Sequence, residues 1–585
     1  MLAGLIPVSK PDAMAVHNAD IARILNRLAD LLEIEDANPF RIRAYRRAAQ
    51  TIADLPTGAA ELVAHGQDLS ELPGIGKDLA GKIREIVETG RLTLLEEVEA
   101  RTPSSLAVLT SLPGLGPKRV HALHERLGIT TLDQLARAAK AHKLRALPGF
   151  SEKMEANILD AISKHRANEQ RWKISTAADF AETLRAWMLR CPGVRHVVVA
   201  GSYRRCRETV GDLDLLVTSA AGRKAVDHFV RYEEIDEIVA KGPTRATVKL
   251  KAGIQVDLRV VPQASYGAAL HYFTGSKAHN IHIRKLGQEK GLKINEYGIF
   301  RGDSRIGGAK EEDVFAAVGL PWIEPELRED RGEIEAAASG RLPKLVTLAD
   351  VRGDLHVHTT ASDGKSSLRE MAVAAKARGY SYIAVTDHTK HATVAHGLDE
   401  KRLSAQLDEI DRMNDGMDGF RVLKSSEVDI LADGTLDLPD RILKRLDLTV
   451  CAVHYRFDLD AATQTERILR AMDNRHFHIL AHPTGRLIGD RPGYSVNLER
   501  ILNGAKQRGC FVELNAHPSR LDLDDVHCNL AREMGLLISI GTDAHSTLGL
   551  DAMRYGIGQA RRGWLEAKDV LNTRSWNQLK RLLAR

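Results

Sequence analysis

The sequence predicts a multidomain chain: an α-helical N-terminal region, a central α+β domain, and a C-terminal α/β domain closed into a barrel. Three observations predict it. A Leu-Pro-Gly-x-Gly pattern recurs between helical stretches in the first 150 residues. Acid-bearing apolar strands follow in the middle. The last 240 residues alternate short apolar strands, most ending in His, Asp or Glu, with helical stretches. At roughly 100–200 residues per domain, 585 residues make about three or four domains. An apolar share of 43% with 28% charged residues is that of globular protein and argues against disorder or a fibre. No apolar run approaches the ~18 residues of a membrane-crossing helix. The start, MLAGLIPVSK, has no basic stretch ahead of its apolar residues, so no secretory signal is expected. Five cysteines, with no Cys-x-x-Cys, argue against a disulfide framework and for a reducing cytoplasm. The net charge of +5 lies entirely in the middle: residues 171–345 carry 28 basic and 23 acidic residues, whereas the flanking segments balance. Nucleic-acid binding would therefore rest on local geometry rather than a cationic coat.

In the N-terminal third, Ile21, Ile24, Leu25, Leu28, Leu31 and Leu32 recur at a helical period. Three turns follow: Leu72-Pro73-Gly74-Ile75-Gly76-Lys77, Leu112-Pro113-Gly114-Leu115-Gly116-Pro117-Lys118, and Leu147-Pro148-Gly149-Phe150-Ser151. Glycines permit positive φ and close backbone approach. The helix that follows points free N–H groups outward, where a DNA phosphate fits without base reading. This is the helix-hairpin-helix pattern, with Gly74, Gly76, Gly114, Gly116 and Lys118 as candidate DNA contacts. In the third copy Ser151 replaces the second glycine, which leaves a purely structural hairpin open.

In the middle, Val197–Ala200 reads as a strand ending in Gly201-Ser202, with Arg205 just beyond. Gly211-Asp212-Leu213-Asp214 opens a second strand, and side-chain alternation puts both acids on one face. A third strand carries Asp257 among apolar neighbours. Three carboxylates on one sheet face repel unless cations join them, which points to a pair of Mg²⁺ or Mn²⁺ ions and phosphoryl transfer. Gly201 and Ser202 supply donors for phosphate, and Arg205 a fork-shaped one.

Over roughly residues 15–330 the chain resembles the family X DNA polymerases, typified by polymerase beta. The resemblance rests on NPFRIRAYRRAA, LPGIGKDLAGKI, GSYRRCRETVGDLDLLV, VDLRVV, HYFTGSKAHN and EKGLKINEYGIF. It implies a lyase-like helical domain over 1–95, a fingers-like domain over 96–170, a nucleotidyltransferase palm over 171–262 and a thumb over 263–330. It further implies that Asp212 and Asp214 bind both metals, that Asp257 helps deprotonate the primer 3′-hydroxyl, and that Ser202, Arg205 and Gly211 hold the triphosphate. Tyr272, Phe273 and Gly275 would lie under the incoming sugar and Asn280 beside its base. Arg284 would touch the template, and Arg259 is a further DNA contact. Lys82 matches the lysine that attacks a 5′-deoxyribose phosphate. An amine nucleophile must be neutral, and Asp78 so close favours its charged form, so a plain phosphate contact is the alternative.

Residues 331–350 mix charge with Gly, Pro and Ala and read as a linker. From 351 to 585, seven strand–helix units imply a parallel sheet, closed into a barrel, whose site lies at the C-terminal strand ends. His356, His358, Asp363, His388, Glu427, His454, His482, Asp543 and His545 fall there. Nine N/O ligands exceed what one ion needs, so two or three Mn²⁺ or Zn²⁺ ions are expected, activating water for phosphoester hydrolysis. The segment resembles the polymerase-and-histidinol-phosphatase (PHP) domain over roughly 352–560, which implies 3′→5′ exonuclease activity and a distorted (β/α)7 barrel. The combined expectation is a cytoplasmic, monomeric repair polymerase with an end-trimming nuclease, acting on gapped or primer-template DNA with dNTPs. The alternative makes the polymerase half a DNA-binding scaffold and the barrel the working enzyme.

Overall fold

The computed structural model describes residues 18–584, apart from 36, 56–57, 100–105, 107–108, 110–111, 113–114, 148 and 169–170. Helices α1 (Asn18–Ile34) and α2 (Pro39–Asp54) open the N-terminal region. Asn38 starts α2 by accepting the Phe40 N–H at 2.9 Å, with Pro39 in the first turn, where its missing donor costs nothing. Their apolar stripes close on helix α3 (Lys77–Thr89) around Leu25, Leu28, Tyr45, Ile52 and Ile83. Gly74 takes φ +74°, and a Cβ there would stand 2.7 Å from the Arg47 side chain. Gly76 caps α3 and Gly116 caps α4 (Pro117–Leu127). Gly114 and the side chain of Lys118 lie outside the described residues. In the third hairpin the Ser151 hydroxyl accepts the Met154 N–H at 3.2 Å, a capping role the glycine copies cannot play.

The central domain is a five-stranded sheet in the order β1-β2-β5-β4-β3: β1 (Val194–Val199), β2 (Asp212–Ser219), β3 (Ile235–Lys241), β4 (Arg245–Leu250) and β5 (Gln255–Val261). Only β2 and β5 run parallel, and their register sets Asp214 opposite Asp257. Leu213, Leu215, Val256 and Leu258 alternate with the acids and bury against Phe180 and Leu184 of helix α5 (Ile174–Leu189). The following subdomain packs two helices and a three-stranded antiparallel sheet, in the order 304–307, 298–301, 293–295, against helix Glu311–Val318. It is pinned to the central domain by charge. Arg204 grips both oxygens of Glu311 at 2.7 and 2.8 Å, and the wholly buried Arg328 adds a third contact at 2.6 Å.

Residues 331–350 do not form a free linker. They include helix Glu333–Ala338, whose Ile334 and Ala337 are buried. The Val346 N–H bonds the Leu565 carbonyl at 2.9 Å. Their charges have partners: Glu333 accepts from buried His279 at 2.7 Å, and Arg331 pairs with Asp525 at 3.0 Å.

The C-terminal domain is a ring of seven parallel strands: β6 (Gly353–Val357), β7 (Tyr382–Val385), β8 (Arg421–Lys424, continuing as Glu427–Asp429), β9 (Val450–Ala452), β10 (Ile479–Leu480), β11 (Phe511–Asn515) and β12 (Ile538–Gly541). The break in β8 divides the sheet hydrogen bonding into two arcs. Bridges His388 to Glu427 and Val357 to Ala544 join the arcs into a closed barrel. Leu355, Ala384, Leu423, Ile479 and Phe511 fill the interior, and helix Trp576–Leu583 seals the end opposite the ligands with Leu579 and Leu583.

Candidate active sites

The first site grows out of β2 and β5. Asp212 and Asp214 sit two residues apart on one face, and Asp257 stands across from Asp214. Asp257 is held from both sides: one oxygen accepts the Thr247 hydroxyl, the other the Gln255 amide at 2.8 Å. Gly201 turns the chain over this face at φ +60°, and a Cβ there would lie 2.2 Å from the Asp214 carboxylate, so no other residue fits. Burial, then the neighbouring Asp212 and Asp257, push the Asp214 carboxyl up to about 7. Burial and Asp257 raise Asp212 as well. Arg205, Arg259 and Arg171 offset only part of this gathered negative charge, and a divalent cation would relieve the rest, so the donor set fits one.

Ser202 lies in the short turn Gly201–Arg204, and Gly211 immediately precedes β2. Arg205, expected at the triphosphate, is engaged by partners within the protein. Its guanidinium donates to Glu329 at 3.0 Å and to the Thr274 carbonyl at 2.5 Å, and Glu329 is shared with Arg562 at 2.9 Å. The cause is docking: residues 324–331 bring a carboxylate that no local pattern announces. Gly275, at φ +72°, passes beside the same guanidinium. Tyr272 and Phe273 meet edge to face at 5.1 Å, and Arg259 lies 5.6 Å from the Phe273 ring centre. The Asn280 amide donates to the Tyr272 carbonyl at 2.7 Å. Arg284 is exposed, bonding only the Asn280 carbonyl among the described residues, at 3.3 Å.

Lys82 belongs to neither cluster. Its ammonium pairs with Asp78, one helical turn earlier, at 2.5 Å. An imine-forming step would need the amine released from that pair.

The second site is the mouth of the barrel, where all nine sequence-chosen ligands converge. Glu427 is the hub. One oxygen faces His454 at 3.1 Å and His482 at 2.9 Å, the other faces His388 at 2.9 Å and both His356 and His358 at 3.6 Å. Asp543 approaches His358 at 3.2 Å, and Asp363 approaches His545 at 3.3 Å. Three overlapping groups could each hold an ion: His358, Asp363, His388 and His545; His356, His358 and Asp543; His388, Glu427 and His454. The orphaned atoms agree with that. The buried nitrogens His356 Nε2, His358 Nε2 and His388 Nδ1 have no hydrogen-bond partner among the described residues, and all point into the cluster. Burial alone would neutralise these groups, but their mutual attraction overrides it. Against burial, the His388, His454 and His356 rings hold Glu427 well below the carboxylate range. Against burial, Glu427 and Asp429 push His454 up to about 10, and Asp363 pushes His545 to about 9. His358, buried between His545 and His388, falls to about 4. Protons thus occupy positions that a cation would take from them.

Sequence reasoning missed the residues that aim these ligands. Glu513 accepts from His356 Nδ1 at 2.7 Å, which fixes the proton there and turns the Nε2 lone pair inward. Asp429 does the same for His454 at 3.0 Å, and the Asp543 carbonyl for His545 at 2.8 Å. The available signal was alternation: Glu513 points inward on β11, and Asp429 shares a strand face with Glu427. Arg520 approaches Asp543 at 3.3 Å. Asp543 itself has φ +55°, strain of a kind that concentrates at functional sites.

Comparison with known proteins adds the following. Residues 16–92 match the helix-hairpin-helix domain family and residues 106–164 the SAM-like helix-hairpin-helix tandem. Residues 269–329 match the DNA polymerase beta thumb, and residues 354–517 the PHP domain. The DNA polymerase/3′-5′ exonuclease PolX of Bacillus subtilis (strain 168) is 37% identical over 576 residues, covering 97% of this chain and 100% of that protein. DNA polymerase lambda of Arabidopsis thaliana is 27% identical over 348 residues, covering 53% of this chain and 62% of that one. A probable phosphatase of Thermoanaerobacter sp. (strain X514) is 30% identical over 232 residues, covering 38% of this chain and 89% of its own.

Proposed function

The chain belongs to the PolX family, and from that premise we propose that it is a DNA-directed DNA polymerase filling short gaps in DNA repair, with a 3′→5′ exonuclease in its barrel. The end-to-end likeness to a protein named for both activities supports this, and the convergence of nine barrel ligands on Glu427 is the observation that carries the second activity.

In the palm, Asp212, Asp214 and Asp257 would hold two Mg²⁺ or Mn²⁺ ions. Bound there, the ions supply charge neutralisation and a lowered hydroxyl pKa for phosphoryl transfer. The chain's own residues orient the reaction. Thr247 and Gln255 fix Asp257, the residue proposed to draw the proton from the primer 3′-hydroxyl. Gly201 keeps the turn beside Asp214 open, with Ser202 and Gly211 offering donors to the triphosphate. Tyr272, Phe273 and Asn280 would contact the incoming nucleotide, and Arg259, Arg284 and the hairpin glycines the DNA. Arg205 would offer the triphosphate the donors that Glu329 and the Thr274 carbonyl leave free.

In the barrel, the nine ligands would hold two or three Mn²⁺ or Zn²⁺ ions, which supply an activated water for phosphodiester hydrolysis. Glu427, contacting five histidines through two oxygens, would be the central carboxylate of the set. Glu513, Asp429 and the Asp543 carbonyl fix the tautomers of three of those rings or their neighbours. The partners are gapped or primer-template DNA and dNTPs, and the protein is proposed to act as a cytoplasmic monomer. No helix among the described residues is long and apolar enough to cross a membrane.

The test is a 5′-labelled primer in a one-nucleotide gap with Mn²⁺. Extension by one nucleotide with dNTPs and shortening without them is the expected result. Shortening with no extension under any condition would leave the polymerase half a DNA-binding scaffold.

A further inference from the structure

The barrel mouth is not open to solvent on all sides. Helix α2 of the N-terminal domain lies beside it, and Leu548, from the loop after the last ligands, packs against the N-terminal core. Arg47 of α2 lines two cavities at once. The larger, about 500 Å³, also holds His388, Glu427, His454 and His482, with an aromatic pair, His391 and Tyr455, whose rings are 4.4 Å apart. The smaller, about 290 Å³, runs beneath the first hairpin, lined by Pro73, Thr51 and His517. Arg47, Arg520, Asp543 and His545 form the boundary that the two cavities share. Arg47 is exposed, and no carboxylate among the described residues pairs with it. Arg520 already leans on Asp543.

We propose that Arg47 is a substrate-binding residue of the barrel's nuclease, supplied from the N-terminal domain: with Arg520 it grips the backbone phosphate one position 5′ of the scissile one. This rests on the exonuclease reading above. The larger cavity lies within the usual range of about 300–1,000 Å³ for ligand sites. It would take the 3′-terminal nucleoside, its base against His391 and Tyr455, a sequence-tolerant contact because every base has a π face. The scissile phosphate would sit over the ligand cluster. The penultimate nucleotide would then lie at the boundary, and the strand would leave through the smaller cavity under the hairpin. Guanidinium groups suit the place, since a fork of donors matches phosphate geometry. In the reaction, water adds to phosphorus, the bond from phosphorus to the 3′-oxygen of the penultimate sugar breaks, that oxygen takes up a proton, and a 5′-mononucleotide departs. The arrangement makes the nuclease dependent on a domain that carries none of its ligands.

Two thymidine dinucleotides test this on the full-length protein with Mn²⁺. TpT carries only the scissile phosphate, and pTpT adds the 5′-phosphate that Arg47 would hold. In the wild type, KM for TpT should exceed that for pTpT by about tenfold or more, the worth of one charge-assisted hydrogen bond to phosphate. In Arg47→Ala the ratio should fall severalfold, to the part that Arg520 alone supplies, and in Arg47→Lys it should be intermediate, since the charge returns without the fork. A ratio unchanged in Arg47→Ala overturns the proposal, as does a fall in kcat on both dinucleotides with the ratio kept, which would mean damage to the ligand cluster. If the wild type shortens neither dinucleotide nor a longer oligonucleotide, it is the exonuclease reading that fails.

Discussion

Replacing Glu513 by Gln changes one oxygen into an amide and leaves the volume of the barrel interior alone. The two oxygens have different duties. One accepts from His356 Nδ1 at 2.7 Å, the other from the His482 N–H at 2.8 Å and the Asn515 amide at 3.2 Å. A glutamine satisfies only one side. With its NH₂ toward His482 and Asn515, donor faces donor. With its NH₂ toward His356, that ring must present a lone pair at Nδ1 and carry its proton on Nε2, the nitrogen that faces Glu427 and Asp543. Either choice costs metal affinity. Loss of such an orienting partner typically weakens metal binding 10–100-fold, about 1.4–2.7 kcal/mol. Titrating Mn²⁺ into metal-stripped protein and following primer shortening should show the half-saturating concentration moved upward by that factor. Gap filling, which does not pass through the barrel, should keep its own metal dependence. An unshifted exonuclease midpoint in Glu513→Gln would refute the claim that Glu513 fixes the His356 tautomer.

Three further outcomes follow from the same geometry. Gly201→Ala should abolish extension while sparing shortening, because its Cβ would stand 2.2 Å from Asp214 and the φ of +60° adds about 1–2 kcal/mol of strain; paired extension and exonuclease assays check this. Glu311→Ala strands the buried Arg328 guanidinium and frees the half-buried Arg204, and should lower stability by about 3–5 kcal/mol in denaturant melts. In the wild type, Arg204 and Arg328 overcome burial and hold Glu311 below the usual range, so its stabilisation is present above about pH 4 and is lost as acid protonates it; the pH dependence of the melting midpoint should flatten there in the variant. Mn²⁺ should raise the melting temperature of the metal-stripped wild type, and His356→Ala/His358→Ala should remove most of that rise, since an ion binding only the folded barrel stabilises it by mass action.

Much of this architecture could be read from local pattern. The barrel ligands other than Asp363 are legible because each lies at the end of a short apolar run, so strand and ligand announce each other. Asp212, Asp214 and Asp257 are legible through alternation, which the parallel register of β2 and β5 turns into one face. What stayed hidden depends on contacts between segments far apart in the chain. That Arg205 also pairs with Glu329 follows only from the docking of residues 324–331. The segment 331–350 has a linker's composition, but its charges find Asp525 and His279 only in the docked molecule. Glu513 and Asp429 look like ordinary strand acids because their partners, His356 and His454, lie on or just beyond other strands. Arg47 sits in a basic helical run indistinguishable in sequence from a general DNA-binding face, and only the placement of α2 over the barrel singles it out.

The most direct test of two independent centres in one chain uses reciprocal variants on the same gapped substrate. Wild type, Asp212→Ala/Asp214→Ala and His356→Ala/His358→Ala are compared with a 5′-labelled primer and Mn²⁺, with and without dNTPs. The account predicts that the aspartate variant loses extension and keeps shortening, while the histidine variant loses shortening and keeps extension. Loss of both activities in either variant, with the protein still folded, would contradict it.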